Sequence, residues 1–165
     1  MNTSIRFRNY CAAAIVFTCM LQACSNSADY KSTRKEVIDM HDKIMMEEGR
    51  AMINKMKLDT LMKVGFKHIA HQQPGIDTVQ EKQHVSALIG QLEQAGDEMN
   101  DWMHAFNPDV EDKTEDQAVE YFKAEKIKLQ KLDSLYNKAI SESEACLGNY
   151  GIKPEAAAHG EHNHH

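Results

Sequence analysis

Histidine, methionine and cysteine are the side chains whose spacing in this sequence could do chemistry. The C-terminal run His159-Gly160-Glu161-His162-Asn163-His164-His165 sets His159, His162, His164 and His165 close together. Imidazole suits Zn, Ni and Cu(II), and a histidine-rich tract can bind such ions without a packed site. His68, His71 and His84 flank the breaker Pro74-Gly75. A second set, His41 with Met45, Met99 and Met103, mixes imidazole with thioethers, soft ligands for Cu(I) or axial ligands for haem. Each set has a plainer reading beside it. The tail is then a polar, disordered segment, the loop histidines are ordinary, and the methionines fill gaps in an aromatic core. Other chemistry has no signature here: no phosphate-cradling glycine loop, no His-Glu-x-x-His, no Cys-x-x-Cys and no nucleophile elbow.

Cys24 carries the most specific pattern. Residues 1–10 hold two cations, Arg6 and Arg8, and no acid. Residues 11–20 are mostly apolar, a run too short to cross a hydrocarbon core, which needs roughly twenty residues. Leu21-Gln22-Ala23-Cys24 follows and resembles the lipobox of bacterial lipoproteins. That resemblance implies a signal peptide over 1–23, cleavage before Cys24, and a diacylglyceryl thioether with palmitate-type acyl chains on its sulfur. A thiolate is the side-chain nucleophile best suited to such alkylation. Several acyl chains give stable anchoring in a lipid bilayer, since each buried methylene contributes about 0.8 kcal/mol. An ordinary secretory signal cleaved elsewhere is the alternative.

Removing that segment changes the inventory. Of the four cysteines, Cys11 and Cys19 go with the signal and Cys24 is acylated, which leaves Cys146 as the one free thiol. The domain therefore has no internal disulfide, and Cys146 reads as a small buried hydrophobe. Taking Arg6 and Arg8 from the 19 basic residues leaves 17 against 25 acidic, a net charge of −8. That balance argues against nucleic acid and against adhesion to anionic headgroups.

The elements that must position these residues read as helices. A short polar tether, 24–32, precedes the fold. Three segments open with a capping oxygen followed three residues later by Glu or Gln: Thr33 with Glu36, Asp77 with Gln80, and Thr114 with Gln117. Behind the second, Val85, Leu88, Leu92, Ala95, Met99, Trp102 and Phe106 alternate three and four apart, a full seam. Behind the third, Ala118, Phe122, Leu129, Leu132, Tyr136, Ala139 and Cys146 share one stripe, interrupted at Glu125 and Ser143. In the first, Val37, Met40, Ile44, Ala51, Leu58 and Leu61 form a row with Met45, Met52 and Met56 beside it, a broad apolar face. Breakers stand at Pro74-Gly75, at Asn107-Pro108-Asp109 and over 148–154.

The pattern predicts an all-α fold, three long antiparallel helices in a bundle over 33–150, followed by a disordered histidine-rich tail over 151–165. The lipobox, His41-Asp42-Lys43-Ile44-Met45 and Asp101-Trp102-Met103 together resemble small helical envelope lipoproteins of Bacteroidetes-type bacteria. The resemblance implies a location and no chemistry. Ser25 after Cys24, rather than Asp, points by the same resemblance to the outer membrane, and no acidic run follows Cys24 to suggest surface export, which favours the periplasmic face. The expectation is a non-catalytic interaction or scaffold module, possessing an envelope protein partner. The alternative is a periplasmic metal-binding protein that buffers or transfers copper, zinc or nickel.

The helix order sets His41 and Met45 level with Met99, Trp102 and Met103, and gathers His68, His71, His84 and the tail at the opposite end. A site built on those histidines should weaken as pH falls through about 6.5, because imidazole must be neutral to donate its lone pair. Deleting 159–165 should then remove most Zn, Ni or Cu(II) affinity in calorimetric titration. A site at Met45, Met99 and Met103 should survive that deletion and hold Cu(I) with weaker pH dependence.

Overall fold

The computed structural model describes residues 29–72 and 75–153. Among these residues four helices form, α1 (Tyr30–Thr60), α2 (Phe66–Gln72), α3 (Thr78–Ala105) and α4 (Glu115–Asn149), and a π-helical turn over Leu61–Gly65 joins α1 to α2. No strand occurs among the described residues. The fold is an all-α bundle in which α1, α3 and α4 all pack on one another. Consecutive long helices run antiparallel, so α1 and α4 lie parallel. None of the described helices is long and apolar enough to cross a membrane.

The helix ends show which signals act. Thr114 and Gln117 form a reciprocal box, the Thr114 hydroxyl accepting from the Gln117 N–H at 3.3 Å and the Gln117 amide oxygen from the Thr114 N–H at 3.0 Å. Asp77 accepts from the N–H groups of Val79 and Gln80. The first segment differs. Asp29 is the N-cap, accepting from the Lys31 N–H at 3.1 Å. Thr33 is buried one turn inside the helix, where its hydroxyl donates to the Asp29 carbonyl. Thr33 stands four residues before Val37 on the inward stripe, so packing claims it and the helix begins at Tyr30, inside the expected tether. At the far end Gly151 takes φ +72°, and the Ile152 N–H reaches the Leu147 carbonyl while the Gly151 N–H reaches that of Gly148. This pair of bonds, with a left-handed residue between the last turn and an apolar Ile152, is the Schellman stop.

Heptad spacing builds the core. On α3 Val85, Leu88, Leu92, Ala95, Met99 and Trp102 are buried, as the seam predicts. On α4 the stripe runs unbroken through Ala118, Phe122, Glu125, Leu129, Leu132, Tyr136, Ala139, Ser143 and Cys146. The two interruptions in the sequence are thus polar side chains inside the core. On α1 Val37, Ile44, Ala51 and Leu58 repeat every seven residues, with buried Asn54 between the last two. Met45 is half-buried, but Met52 and Met56 are 60% and 63% exposed, so the broad apolar face narrows to a single seam.

The π turn corrects the phase of that seam. A continued heptad after Leu58 and Leu61 would turn Gly65 and His68 inward. The turn adds one residue, and Phe66 and Ile69 enter the core instead while His68 faces solvent. At Gly65 a Cβ would stand 2.7 Å from Leu61 Cδ1, so a larger residue there would displace the end of the Leu61 side chain.

The parallel α1–α4 interface is ruled by matched pairs. Lys126 reaches Glu36 at 2.7 Å, Lys43 reaches Asp133 at 3.0 Å, and Arg50 reaches Glu144 at 2.9 Å. Inside, the Asn54 amide donates to the Ser143 hydroxyl at 2.9 Å, and that hydroxyl donates to the Ile140 carbonyl at 2.8 Å. Ser143→Ala strands the buried Asn54 amide and should cost about 1–3 kcal/mol in chemical denaturation. Adding Asn54→Ala should cost less than the sum of the single changes, because the stranded group goes with it.

Candidate functional site

Three places along the bundle hold chemically capable side chains. At the end where α2 and the last turn of α4 meet, the Phe66 and Tyr150 rings stand edge to face at 5.6 Å. The Tyr150 hydroxyl donates to Glu81 of α3. Burial, then that bond to the Glu81 carboxylate, pushes the Tyr150 phenol well above its ordinary range. Cys146 is buried just below, and burial followed by the Glu81 charge raises its thiol too. A raised thiol pKa means little thiolate, so Cys146 is the inert buried cysteine that its position on the stripe implies.

His68, His71 and His84 lie at this same end and are all exposed. Among the described residues no group of three or more His, Cys, Asp or Glu side chains comes together to hold a metal ion. The histidines are thus brought to one end without forming a ligand set there. His159, His162, His164 and His165, and likewise Cys24 with its lipobox, lie outside the described residues.

The opposite end is aromatic. Trp102 is 7% exposed and stacks on Phe106 at 4.7 Å, while the His41 ring of α1 faces it at 5.7 Å. Phe106 in turn lies 6.3 Å from Phe122. The indole N–H donates to Glu125 at 2.8 Å, and Lys128 holds the other carboxylate oxygen at 2.7 Å. This is how a carboxylate tolerates the core: both oxygens are hydrogen-bonded and one partner is a cation. The level of His41 with Trp102 follows the sequence expectation. Around it Met99 is fully buried, Met45 half-buried and Met103 39% exposed, and His41 Nδ1 is bonded to Asp42 at 2.9 Å.

The third place was not legible in the sequence. Between α1 and α3 lies a groove of about 160 Å³, half open to solvent and walled by Ala51, Met52, Leu92 and Gly96, with Glu48, Lys55 and Glu93 also lining it and Tyr136 of α4 behind. Ala51 and Gly96 explain the gap, because neither side chain can fill the space between the helices. The Tyr136 ring is fully buried, yet its hydroxyl has no hydrogen-bond partner among the described residues. Burial, and then the Glu48 charge, push this phenol up to about 12.

The two phenols bear on stability at alkaline pH. A folded-state pKa above the unfolded value means that the fold holds the proton more tightly. For Tyr136 this contribution is complete below the ordinary value of 10.0 and is lost as pH rises to about 12. Tyr136→Phe should leave stability at pH 7 unchanged or raised, since it removes an unpaired buried hydroxyl. The same change should flatten the decline in melting temperature above pH 10, and Tyr150→Phe should flatten it independently.

No protein-family model, curated protein or solved structure matches the chain, so the reading of its function rests on its own residues.

Proposed function

We propose that this chain is a lipid-anchored, non-catalytic interaction module of the bacterial envelope, held at the periplasmic face of the outer membrane through acylated Cys24. The supporting observation is a spacing. Cys24 of the lipobox-like sequence stands five residues before Asp29, the residue that caps α1. Five residues span at most about 18 Å when fully extended, so a lipid on Cys24 would hold the start of the bundle against the bilayer. From there α4, the longest helix at 35 residues, extends roughly 52 Å. The reading therefore assigns partner contact to the far end, where α2 and the end of α4 meet. A short tether on a smooth charged rod suits presentation at a fixed height better than turnover of a substrate.

The second reading, binding of Zn, Ni or Cu ions, draws support from one feature. The end of α4 lies beside α2, so Lys153, whose carbonyl accepts from Lys57, is at the same end of the bundle as His68 and His71.

Mass spectrometry of the protein from its native membranes should find the mature N-terminus at Cys24, carrying acyl chains. Wild-type protein should leave the membrane with detergent and stay with it in high salt. Cys24→Ala should abolish acylation while leaving the helical circular dichroism of any secreted product unchanged. An unmodified mature terminus at another residue would refute the anchor. A photo-crosslinker at His71 should trap one discrete envelope protein in wild type, and the Cys24→Ala form should lose that product.

A further inference from the structure

The apolar residues of α1 that the core does not take form a seam of their own. Ile44, Ala51 and Leu58 face inward. On the opposite side of the same helix stand Met46, Gly49, Ile53, Met56 and Thr60, alternating three and four apart, with Met45 and Met52 beside them. Met46 and Met56 are each 63% exposed and Met52 60%, Gly49 and Thr60 are exposed, and Ile53 is half-buried. Of the eight large hydrophobics exposed among the described residues, four lie on α1 and a fifth, Val64, on the π turn, so this face is a concentration and not a scatter.

We propose that this seam pairs α1 with the α1 of a second copy of the chain, the two helices parallel and in register. Charge favours that arrangement. The border of the seam toward α4 carries Lys43, Arg50 and Lys57 at seven-residue spacing, with Asp133 and Glu144 holding the first two in place. The border toward α3 carries Glu48, Asp59 and Glu93 around Lys55. In a parallel two-fold pair each border faces the other border of its partner, basic against acidic; an antiparallel pair would set each border against itself. Area explains why the partner is a tethered copy. The exposed part of the seam is on the order of 400 Å², about half of the roughly 800 Å² that each side of a stable complex buries. Such a face pairs weakly between free molecules and needs its partner held nearby. Here the inference rests on the anchor proposed above: a lipid on Cys24 holds every copy the same way up, with Met46 roughly 24 Å along α1 from Tyr30 in each. Identical seams then stand level with one another, at the millimolar effective concentrations that short tethers give.

The test is disulfide trapping of the full acylated chain in its native membranes, with acylation of Cys24 read by mass spectrometry on the same sample. Gly49→Cys and Met56→Cys put thiols two turns apart on the seam, and a Cβ at Gly49 meets nothing within 4 Å. Both should yield a product of twice the chain's mass. Ser134→Cys, exposed on α4, should yield about tenfold less. An in-register parallel pair brings both seam thiols to their own counterparts, whereas an antiparallel pair does so at one level alone. Adding Met56→Glu to the Gly49→Cys protein should lower trapping about fivefold or more, with the helical circular dichroism unchanged. The Cys24→Ala chain separates the seam from its anchor: in solution it should be monomeric at about 10 μM and trap at both positions near about 1 mM. Trapping at neither position by an acylated chain, at one position alone, or equally at Ser134 would overturn the pairing. So would an adduct to a different envelope protein in place of the doubled mass. An unacylated mature chain that still pairs at about 1 mM would sink the anchor and leave the seam standing.

Discussion

The hydrogen bond from Asn54 to Ser143 is the constraint on which the alignment of the bundle depends. Apolar heptads alone would let α1 slide along α4 by seven residues at little cost in buried area. Such a slide would set Asn54 against Tyr136 or Tyr150, the neighbours of Ser143 on the same stripe, and separate its amide from a small hydroxyl. The exposed pairs add to the penalty. Moving by one heptad brings Glu36 opposite Asp133, or Lys43 opposite Lys126, in place of the matched ion pairs. Each exposed pair stabilises little by itself. Their value lies in repelling the wrong alignment, while the buried amide penalises it from inside.

The other polar core residues divide the remaining interfaces between them. Glu125 with Trp102 ties α4 to α3 near the loop that joins them, and Tyr150 with Glu81 ties the same two helices at the far end. Among the described residues no buried side-chain hydrogen bond links α1 to α3, the pair of long helices that meets least. The groove lies between them, with Lys55 to Glu93 bridging the helices at its edge. Its position follows from which helix pairs have buried polar links and large side chains, and which meet through Ala51 and Gly96.

Much of this was legible in the sequence, and the misses share a cause. The α3 seam from Val85 to Trp102 and the box at Thr114 could be read directly, because both signals are local and strictly periodic. Thr33 misled because the same capping pattern can lie one turn inside a helix, where burial, not capping, fixes the residue's place. Met52 and Met56 were read into the core because hydrophobicity does not distinguish an outward methionine from an inward one. The row of the first helix could be followed only to Leu61, because the π turn that brings Phe66 and Ile69 inward is fixed by packed neighbours and not by a local period. Glu125 and Ser143 counted as interruptions until Trp102 and Asn54 were seen opposite them. Pairing across helices is a tertiary fact. A single helix's period carries no record of it.

No disulfide occurs among the described residues, and this gives the seams their weight. A domain without a covalent staple must draw its whole stability, commonly about 5–15 kcal/mol, from packing and hydrogen bonds. Cys146 contributes to that packing as a buried group, and the raised pKa of its thiol suppresses the thiolate that would otherwise seek an external partner. An exposed thiol at one heptad position further round would fill no space and would be open to oxidation. Burial therefore answers two demands with one residue: it completes the core beside Leu147, and it leaves the folded domain without a reactive thiol on its surface.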